Sequence, residues 1–339
     1  MIKAAIQRLL DGHDLTRDDA HGTMNAIMDG ETTPAQIGGF LVALRAKGET
    51  ADEIAGFAEA MREHVVPVSP TRTPLVDVVG TGGDGANTFN ISTTAAIVAA
   101  AAGAGVAKHG NRAASSACGA ADLLEALGFE LEQPPERIAQ SIDELGFGFM
   151  FARAHHPAMR FVAPVRQELG IRTIFNILGP LSNPAGARDG VFGVFSPDLA
   201  RMYATALAEL GARHAFVVHG ADGIDELSPV GPNLVCEVVD GDIREWTLDP
   251  RDLGLEERGQ ADLTGGTPTE NAAALRAILG GEPGAKRDAV LLNAAAALAA
   301  AGLAEDIAEG LQLATTTVDE GAATARLTSL VEFSGGESL

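Results

Sequence analysis

Residues 76–94 read Val-Asp-Val-Val-Gly-Thr-Gly-Gly-Asp-Gly-Ala-Asn-Thr-Phe-Asn-Ile-Ser-Thr-Thr. The β-branched run from Leu75 to Val79 predicts a buried strand. It breaks at Gly80, and Gly82, Gly83 and Gly85 follow at once. An Ala-rich helix is predicted from near Ser92. A strand, a glycine loop and a helix N-terminus in that order make an anion site. Glycines let backbone N–H groups close on a phosphate, and the helix end adds unpaired donors and a positive dipole. The loop fits the dinucleotide fingerprint only loosely, and it lacks the Gly-Lys-Ser/Thr of triphosphate loops. An ordinary tight connection is the alternative. Asp84, Thr88, Asn90, Ser92 and Thr93 argue against it, because a mere turn needs no such set of small polar groups at one helix end.

A phosphate ligand meets an obstacle in the overall charge. The chain of 339 residues carries a formal charge of −22 and has four lysines. That balance disfavours nucleic acid and anionic membrane surfaces as partners. It also repels a phosphate, so Mg²⁺ or a few placed cations must offset it. The second cluster, Lys108-His109-Gly110-Asn111-Arg112-Ala113-Ala114-Ser115-Ser116, supplies two such cations, an imidazole and two hydroxyls after a predicted strand at 106–109. A solvated loop is the competing reading. The third cluster, Asp222-Gly223-Ile224-Asp225-Glu226, follows a strand predicted at 215–219 and suits Mg²⁺. A surface acidic turn is its alternative. His155-His156-Pro157 has no third ligand at a metal spacing and reads as structural or substrate-edge. Arg166, after the apolar turn 162–165, reads as inward-facing, which demands an anionic partner. The stretch 172–184 reads as packing, a hinge and a pocket wall.

Organisation follows from the same periodicities. Residues 1–66 are helical throughout, with Thr33-Pro34 and Thr50…Glu53 as helix starts. A Pro-rich connector, 67–74, marks a domain boundary. From 75 onward strands and helices alternate, with strands at 147–151, 191–195, 235–239 and 243–248. Helices are predicted at 120–127, 135–145, 157–169 (broken at Ala163-Pro164) and 197–210, and from about 268 to the end. Asp240-Gly241 marks a hairpin. The fold expected is a helical domain beside an α/β domain with a mainly parallel sheet. Cys118 and Cys236 form neither a metal spacing nor a disulfide framework, which fits reduced thiols in a cytoplasmic protein. No signal peptide or membrane span is visible.

Together these motifs resemble the anthranilate phosphoribosyltransferase family over nearly the whole chain. The carriers are Gly80-Thr81-Gly82-Gly83-Asp84, Asn90-Ile91-Ser92-Thr93, Lys108-His109-Gly110-Asn111-Arg112, His155-His156-Pro157, residues 172–184 and Asp225-Glu226. The resemblance implies a small helical domain, 1–66, joined by helices from about 157–185, and an α/β domain, 75–339, of the nucleoside phosphorylase type. It implies a homodimer formed through the helical domain. It implies transfer of phosphoribose from phosphoribosyl pyrophosphate to the amine of anthranilate, in tryptophan biosynthesis. The donor contacts it implies are Gly80, Gly83, Asp84, Thr88, Asn90, Ile91, Ser92 and Thr93, then Lys108, His109, Gly110, Asn111, Arg112, Ala113, Ala114, Ser115 and Ser116. Ser92, Asp225 and Glu226 would hold Mg²⁺, and Gly80, Asn111 and Arg166 would contact anthranilate. His109 is the candidate base, although no residue must act as one. One departure stands out. Where the family often has Lys or Arg, Ser, Gly, Ser, this chain has Ala117, Cys118, Gly119 and Ala120. Only the Ala120 backbone N–H then meets phosphate there, and the cationic role shifts to Lys108 and Arg112. A pyrimidine nucleoside phosphorylase and a non-catalytic nucleic-acid-binding relative are the alternatives; the glycine loop, the Asp225-Glu226 pair and the acidity favour neither.

Overall fold

The computed structural model describes residues 1–113, 116–256 and 258–336. Four helices open the chain: α1 (Ile2–Leu10), α2 (Arg17–Met28), α3 (Pro34–Lys47) and α4 (Ala51–Glu63). Thr33 and Thr50 each close a capping box, with Gln36 and Glu53, which satisfies the first free N–H groups of α3 and α4. The α/β part follows as β1 (Leu75–Gly80), α5 (Ile91–Ala101), β2 (Gly105–Gly110), α6 (Ala120–Ala126), α7 (Pro135–Leu145) and β3 (Phe147–Phe151). Next come α8 (Ala152–His155), a 3₁₀ turn at Pro157–Phe161, α9 (Ala163–Leu169) and α10 (Phe175–Leu181). The chain returns through β4 (Asp189–Gly193), α11 (Pro197–Glu209), β5 (His214–His219), β6 (Asn233–Val239) and β7 (Asp242–Leu248). It ends in α12 (Pro268–Leu279), α13 (Ala285–Ala300), α14 (Ile307–Asp319) and α15 (Ala322–Ser334).

The strands form one seven-stranded sheet in the order β3-β2-β1-β4-β5-β6-β7. The first five run parallel, and the β6–β7 hairpin adds antiparallel strands at one edge. Strand side chains alternate between faces, and this divides the core. Val76, Val78, Phe216 and Val218 pack under α5 and the C-terminal helices. Phe192, Ala215 and Val217 pack on the opposite face with α11, and that core runs on into the N-terminal helices and residues 158–181. The strand order reverses between β1 and β4, so a crevice opens beyond their carboxyl ends.

Two sequence readings shift. The strand expected at 191–195 lies at Asp189–Gly193. Gly190 has φ +126, and a Cβ there would come 2.0 Å from the Asp77 carbonyl, so only glycine lets β4 lie this close to β1. The helix expected over 157–169 is a 3₁₀ turn followed by α9, with Pro164 in the first turn of the second piece.

The strand ends carry a further constraint. A Cβ on Gly193 would meet the Asp225 carbonyl oxygen at 1.5 Å, and one on Gly80 would meet Asp225 Oδ2 at 2.2 Å. Gly193→Ala is therefore expected to displace the Asp225 backbone and to cost about 3 kcal/mol, the upper end of ordinary overpacking. Thermal unfolding checks this; an unchanged midpoint would show that the close approach is not required.

Candidate active site

At the carboxyl end of β1 the chain turns through Gly82, Gly83 and Gly85, with φ of +71, +81 and +75. These left-handed conformations explain the glycines. The loop faces a cavity of about 400 Å³ whose other wall is residues 108–113, Ser116 and 118–120. The Asp225 carboxylate closes its floor and accepts the Gly82 N–H at 2.5 Å. Beside it Glu226 Oε1 accepts the Ser92 N–H, at the start of α5, at 3.2 Å. Glu226 Oε2 is buried without a partner, as are the hydroxyls of Thr81 and Thr93. Burial, with Asp84 nearby, pushes Asp225 up to about 7. Burial and the neighbouring Asp225 raise Glu226 well above the usual carboxylate range. Such a pair calls for a cation. Among the described residues no three His, Cys, Asp or Glu side chains form a metal cage. A hard ion held by one or two carboxylates and completed by substrate phosphates fits that donor set.

The cations do not behave as their positions suggest. Lys108 is buried, and its Nζ donates to the Val78 carbonyl at 2.7 Å, so the ammonium lies against the sheet rather than stretched over the loop. Burial lowers its pKa, opposed by Asp77 and Glu226. Arg112 is turned to Glu125 and Asp122, at 2.8 and 2.9 Å, and these raise its pKa further. Asp122 also accepts the N–H groups of Gly119 and Ala113, which places an acid at the N-terminus of α6 where Ala120 was expected to offer its N–H to a phosphate. The Ile91 side chain is buried in the core, outside the cavity lining. Gly80, Gly83, Asp84, Thr88, Asn90, Ser92, Thr93, Gly110, Ala113 and Ser116 all border the cavity. Ala114 and Ser115 lie outside the described residues.

A second cavity, about 580 Å³, adjoins the first at His109 and Asn111. Its walls come from α4, α8, the 3₁₀ turn, α9 and α10. Arg166 projects from α9 beside Phe175, 5.7 Å from the ring, with a long 3.5 Å contact to Asn176 Oδ1. Among the described residues it forms no ion pair, and burial lowers its pKa. The inward-facing arginine thus lacks the protein carboxylate that burial would demand. Gly80 borders the first cavity, Arg166 the second and Asn111 both.

His109 is buried between two partners. Its Nδ1 meets the Gly179 carbonyl at 3.1 Å and its Nε2 meets His156 Nε2 at 3.2 Å. A carbonyl only accepts, so Nδ1 carries the proton, and His156 must donate to the bare Nε2. The lone pair that a base would use is therefore taken. Burial holds His109 well below its ordinary value and brings His156 down to about 4.

Sequence reading missed the supports beneath this site. Asp77, buried in β1, accepts the His109 N–H and the Asn183 amide, and Asn183 also holds the Ala107 carbonyl. A lone acid inside an apolar strand was the available signal. Asn271 on α12 bonds Asn90, and no local pattern announced it.

Comparison with known proteins places the chain. Residues 72–324 match the family model described as glycosyl transferase family, a/b domain, and residues 3–65 match its helical bundle domain. The chain is an enzyme of this glycosyltransferase class. It is 51% identical to the anthranilate phosphoribosyltransferase of Moorella thermoacetica, over 98% of both chains. It superposes on the crystal structure of the Thermus thermophilus enzyme with a TM-score of 0.93, 51% identity, and coverage of 98% of this chain and 99% of the other. The Saccharomyces cerevisiae enzyme in complex with PRPP and Mg superposes at 0.89, with 30% identity over 98% of each chain. The chain belongs to the anthranilate phosphoribosyltransferase family.

The histidine pair carries a pH signature. The unfolded chain binds a proton at His156 near pH 6.5, whereas the folded chain does so only near 4. Between those values the unfolded state holds more protons, so stability falls as pH falls, by up to about 3 kcal/mol at pH 4. In His156→Gln the unfolding midpoint should decline less steeply from pH 6.5 to 4 than in the wild type. Parallel profiles would place the acid sensitivity elsewhere.

Proposed function

We propose that the first cavity binds phosphoribosyl pyrophosphate with Mg²⁺, that the second binds anthranilate, and that the amine displaces pyrophosphate at C1 of the ribose. The product is N-(5-phosphoribosyl)anthranilate, an intermediate of tryptophan biosynthesis. One observation carries the reading. A cavity floored by two buried carboxylates, one with an oxygen lacking a partner, meets, at His109 and Asn111, a second cavity whose guanidinium forms no ion pair among the described residues. The first suits a metal–phosphate donor and the second a small carboxylate acceptor.

Asp225, Glu226 and Ser92 are the residues that would hold Mg²⁺, which supplies charge neutralisation of the pyrophosphate as it leaves. The loop from Gly80 to Thr88 and the start of α5 close on the pyrophosphate with backbone donors. Residues 108–113 and Ser116 form the opposite wall along the ribose and phosphates. Arg166 pairs with the anthranilate carboxylate and aims the amine toward Asn111. An aromatic amine is a weak nucleophile, so departure of pyrophosphate leads, and the site works by positioning and electrostatics. His109 serves as a wall, since its lone pair is engaged. No helix among the described residues is long and apolar enough to cross a membrane. The protein is read as a cytoplasmic homodimer. Exposed Leu10 on α1 and Val42 on α3, at 66% and 44%, support the helical layer as the contact.

Loss of anthranilate fluorescence on adding phosphoribosyl pyrophosphate and Mg²⁺ tests the function directly. Phosphate-dependent cleavage of uridine or thymidine instead would replace it with a nucleoside phosphorylase. Charged pairing of this kind contributes roughly 1.5–3 kcal/mol. Arg166→Ala should therefore raise the anthranilate KM by about one to two orders of magnitude with little change in the donor KM. Arg166→Lys should recover only part, because a point charge replaces a planar fork. A rise in the donor KM alone would move Arg166 to the phosphate side. Asp225→Asn with Glu226→Gln should abolish most turnover at low millimolar Mg²⁺ with the fold retained by circular dichroism. Unaltered Mg²⁺ dependence in that variant would exclude the metal assignment.

A further inference from the structure

Asn90 stands at the N-cap of α5, yet its side chain makes no capping bond. Its amide reaches elsewhere. Nδ2 donates to the Cys118 carbonyl at 3.0 Å, and Oδ1 accepts from Asn271 Nδ2 at 2.9 Å. Asn271 is 2% exposed, and its own Oδ1 accepts the Gly266 backbone N–H at 2.8 Å. This run has a fixed polarity. The Gly266 N–H can only donate and the Cys118 carbonyl can only accept. Both amides are therefore held in one orientation between ends that cannot exchange roles.

The run joins three parts of the chain. Asn90 and Cys118 border the first cavity from opposite walls, and their bond ties those walls together. Asn271 borders no part of that cavity. Its segment backs the glycine loop from outside. Phe89 N–H bonds the Leu263 carbonyl at 2.9 Å, and Gly265 N–H bonds the Asn87 carbonyl at 2.8 Å. A Cβ on Gly265 would lie 2.7 Å from the Thr88 carbonyl, so the approach is close.

We propose that Asn271 is a positioning residue for donor binding: it sets the Asn90 amide and thereby fastens Cys118, on the opposite wall, to the start of α5. The inference rests on the reading of the first cavity as the phosphoribosyl pyrophosphate site. Asn271→Asp isolates the effect. Its shape is kept and the Gly266 N–H stays bonded, but once ionised, at a pH above the raised range that burial gives a carboxyl, the side chain offers Asn90 only acceptors, so the variant is assayed at alkaline pH. Asn90 must turn its Nδ2 toward residue 271, which leaves its Oδ1 facing the Cys118 carbonyl. The wall-to-wall bond is lost while the scaffold remains.

The experiment uses the full chain with Mg²⁺ and varies each substrate at a saturating level of the other. Asn271→Asp should raise the donor KM about tenfold, the loss of roughly one hydrogen bond, and leave the anthranilate KM within about twofold. Calorimetry should show the same weakening for phosphoribosyl pyrophosphate. In an Asn90→Ala background the further change in donor KM from Asn271→Asp should be smaller than in the wild type, since the bond to Asn90 is already gone and what remains to Asn271 on that side is its contact with the Cys118 thiol. Asn271→Ala, which removes the orienting donor without adding charge, should give a milder version and serves where the Asp variant folds poorly. Equal rises in both KM values, unchanged donor binding beside a lowered unfolding midpoint, or additive effects with Asn90→Ala would each overturn the proposal. A wild-type protein that takes up no phosphoribosyl pyrophosphate would overturn the donor reading and this proposal with it. Normal wild-type uptake with an unaffected Asn271→Asp would overturn this proposal alone.

Discussion

Two adjacent carboxylates packed into the strand ends at the floor of a cavity dictate the arrangement of everything near them. Asp225 is wedged against the ends of β1 and β4, where any side chain on Gly80 or Gly193 would collide with it. Glu226 is anchored on the first turn of α5 by one oxygen and leaves the other bare. Lys108 is the buried ammonium within their field, but Asp77 competes for it and the Val78 carbonyl holds it. Neutralisation then has two routes, protons or an ion from solution. This resolves the conflict between a strongly acidic chain and a polyanionic substrate. In the reading proposed above, Asp225 and Glu226 would hold the divalent ion, which would supply the positive charge that the phosphates need beside the backbone donors.

The period of two along β2 does a second job. Lys108 and His109 are adjacent, so their side chains leave opposite faces of the sheet. Lys108 points to the face covered by α5. His109 points to the face covered by α10, where it meets Gly179 and His156. Past the strand end at Gly110, Asn111 borders both cavities. Lys108 therefore borders only the first cavity, whereas His109 and Asn111 border both. The second cavity lies on the other face, and the segments at 158–181 that wall it are held in the same apolar core as the N-terminal helices.

Much of this was legible in the sequence, and the boundary of what was legible has a physical cause. The glycine loop announced itself because positive φ leaves a compositional trace. The helix starts did so because capping is local, whereas paired acids after a strand read equally well as a surface turn until their burial at the strand ends is seen. Lys108 and Arg112 both border the first cavity, but a sequence gives charge without direction. Burial drew one inward, and Asp122 and Glu125, ten and thirteen residues further on, drew the other aside. Ile91 sat in a polar motif but obeyed its apolar side chain. The Ala120 N–H was read correctly as a helix start, yet Asp122 takes the neighbouring donors.

What sequence could not give was contact between distant segments. Asp77 to Asn183 spans 106 residues and Asn90 to Asn271 spans 181. Neither pair has a local signature, since asparagine is ordinary in turns and caps. Their effect is nevertheless directional. An amide differs from a hydrophobic contact in that its two ends are not equivalent, so one bond formed at Gly266 decides which atom faces the Cys118 carbonyl. Hydrophobic packing tolerates volume-conserving exchange; a chain of amides between a fixed donor and a fixed acceptor tolerates none that alters polarity. The geometry of the first cavity is therefore supported in part by Asn271, which does not line it. The glycine loop supplies permission for close approach, and the amide run, closing from behind, bonds one wall to the other.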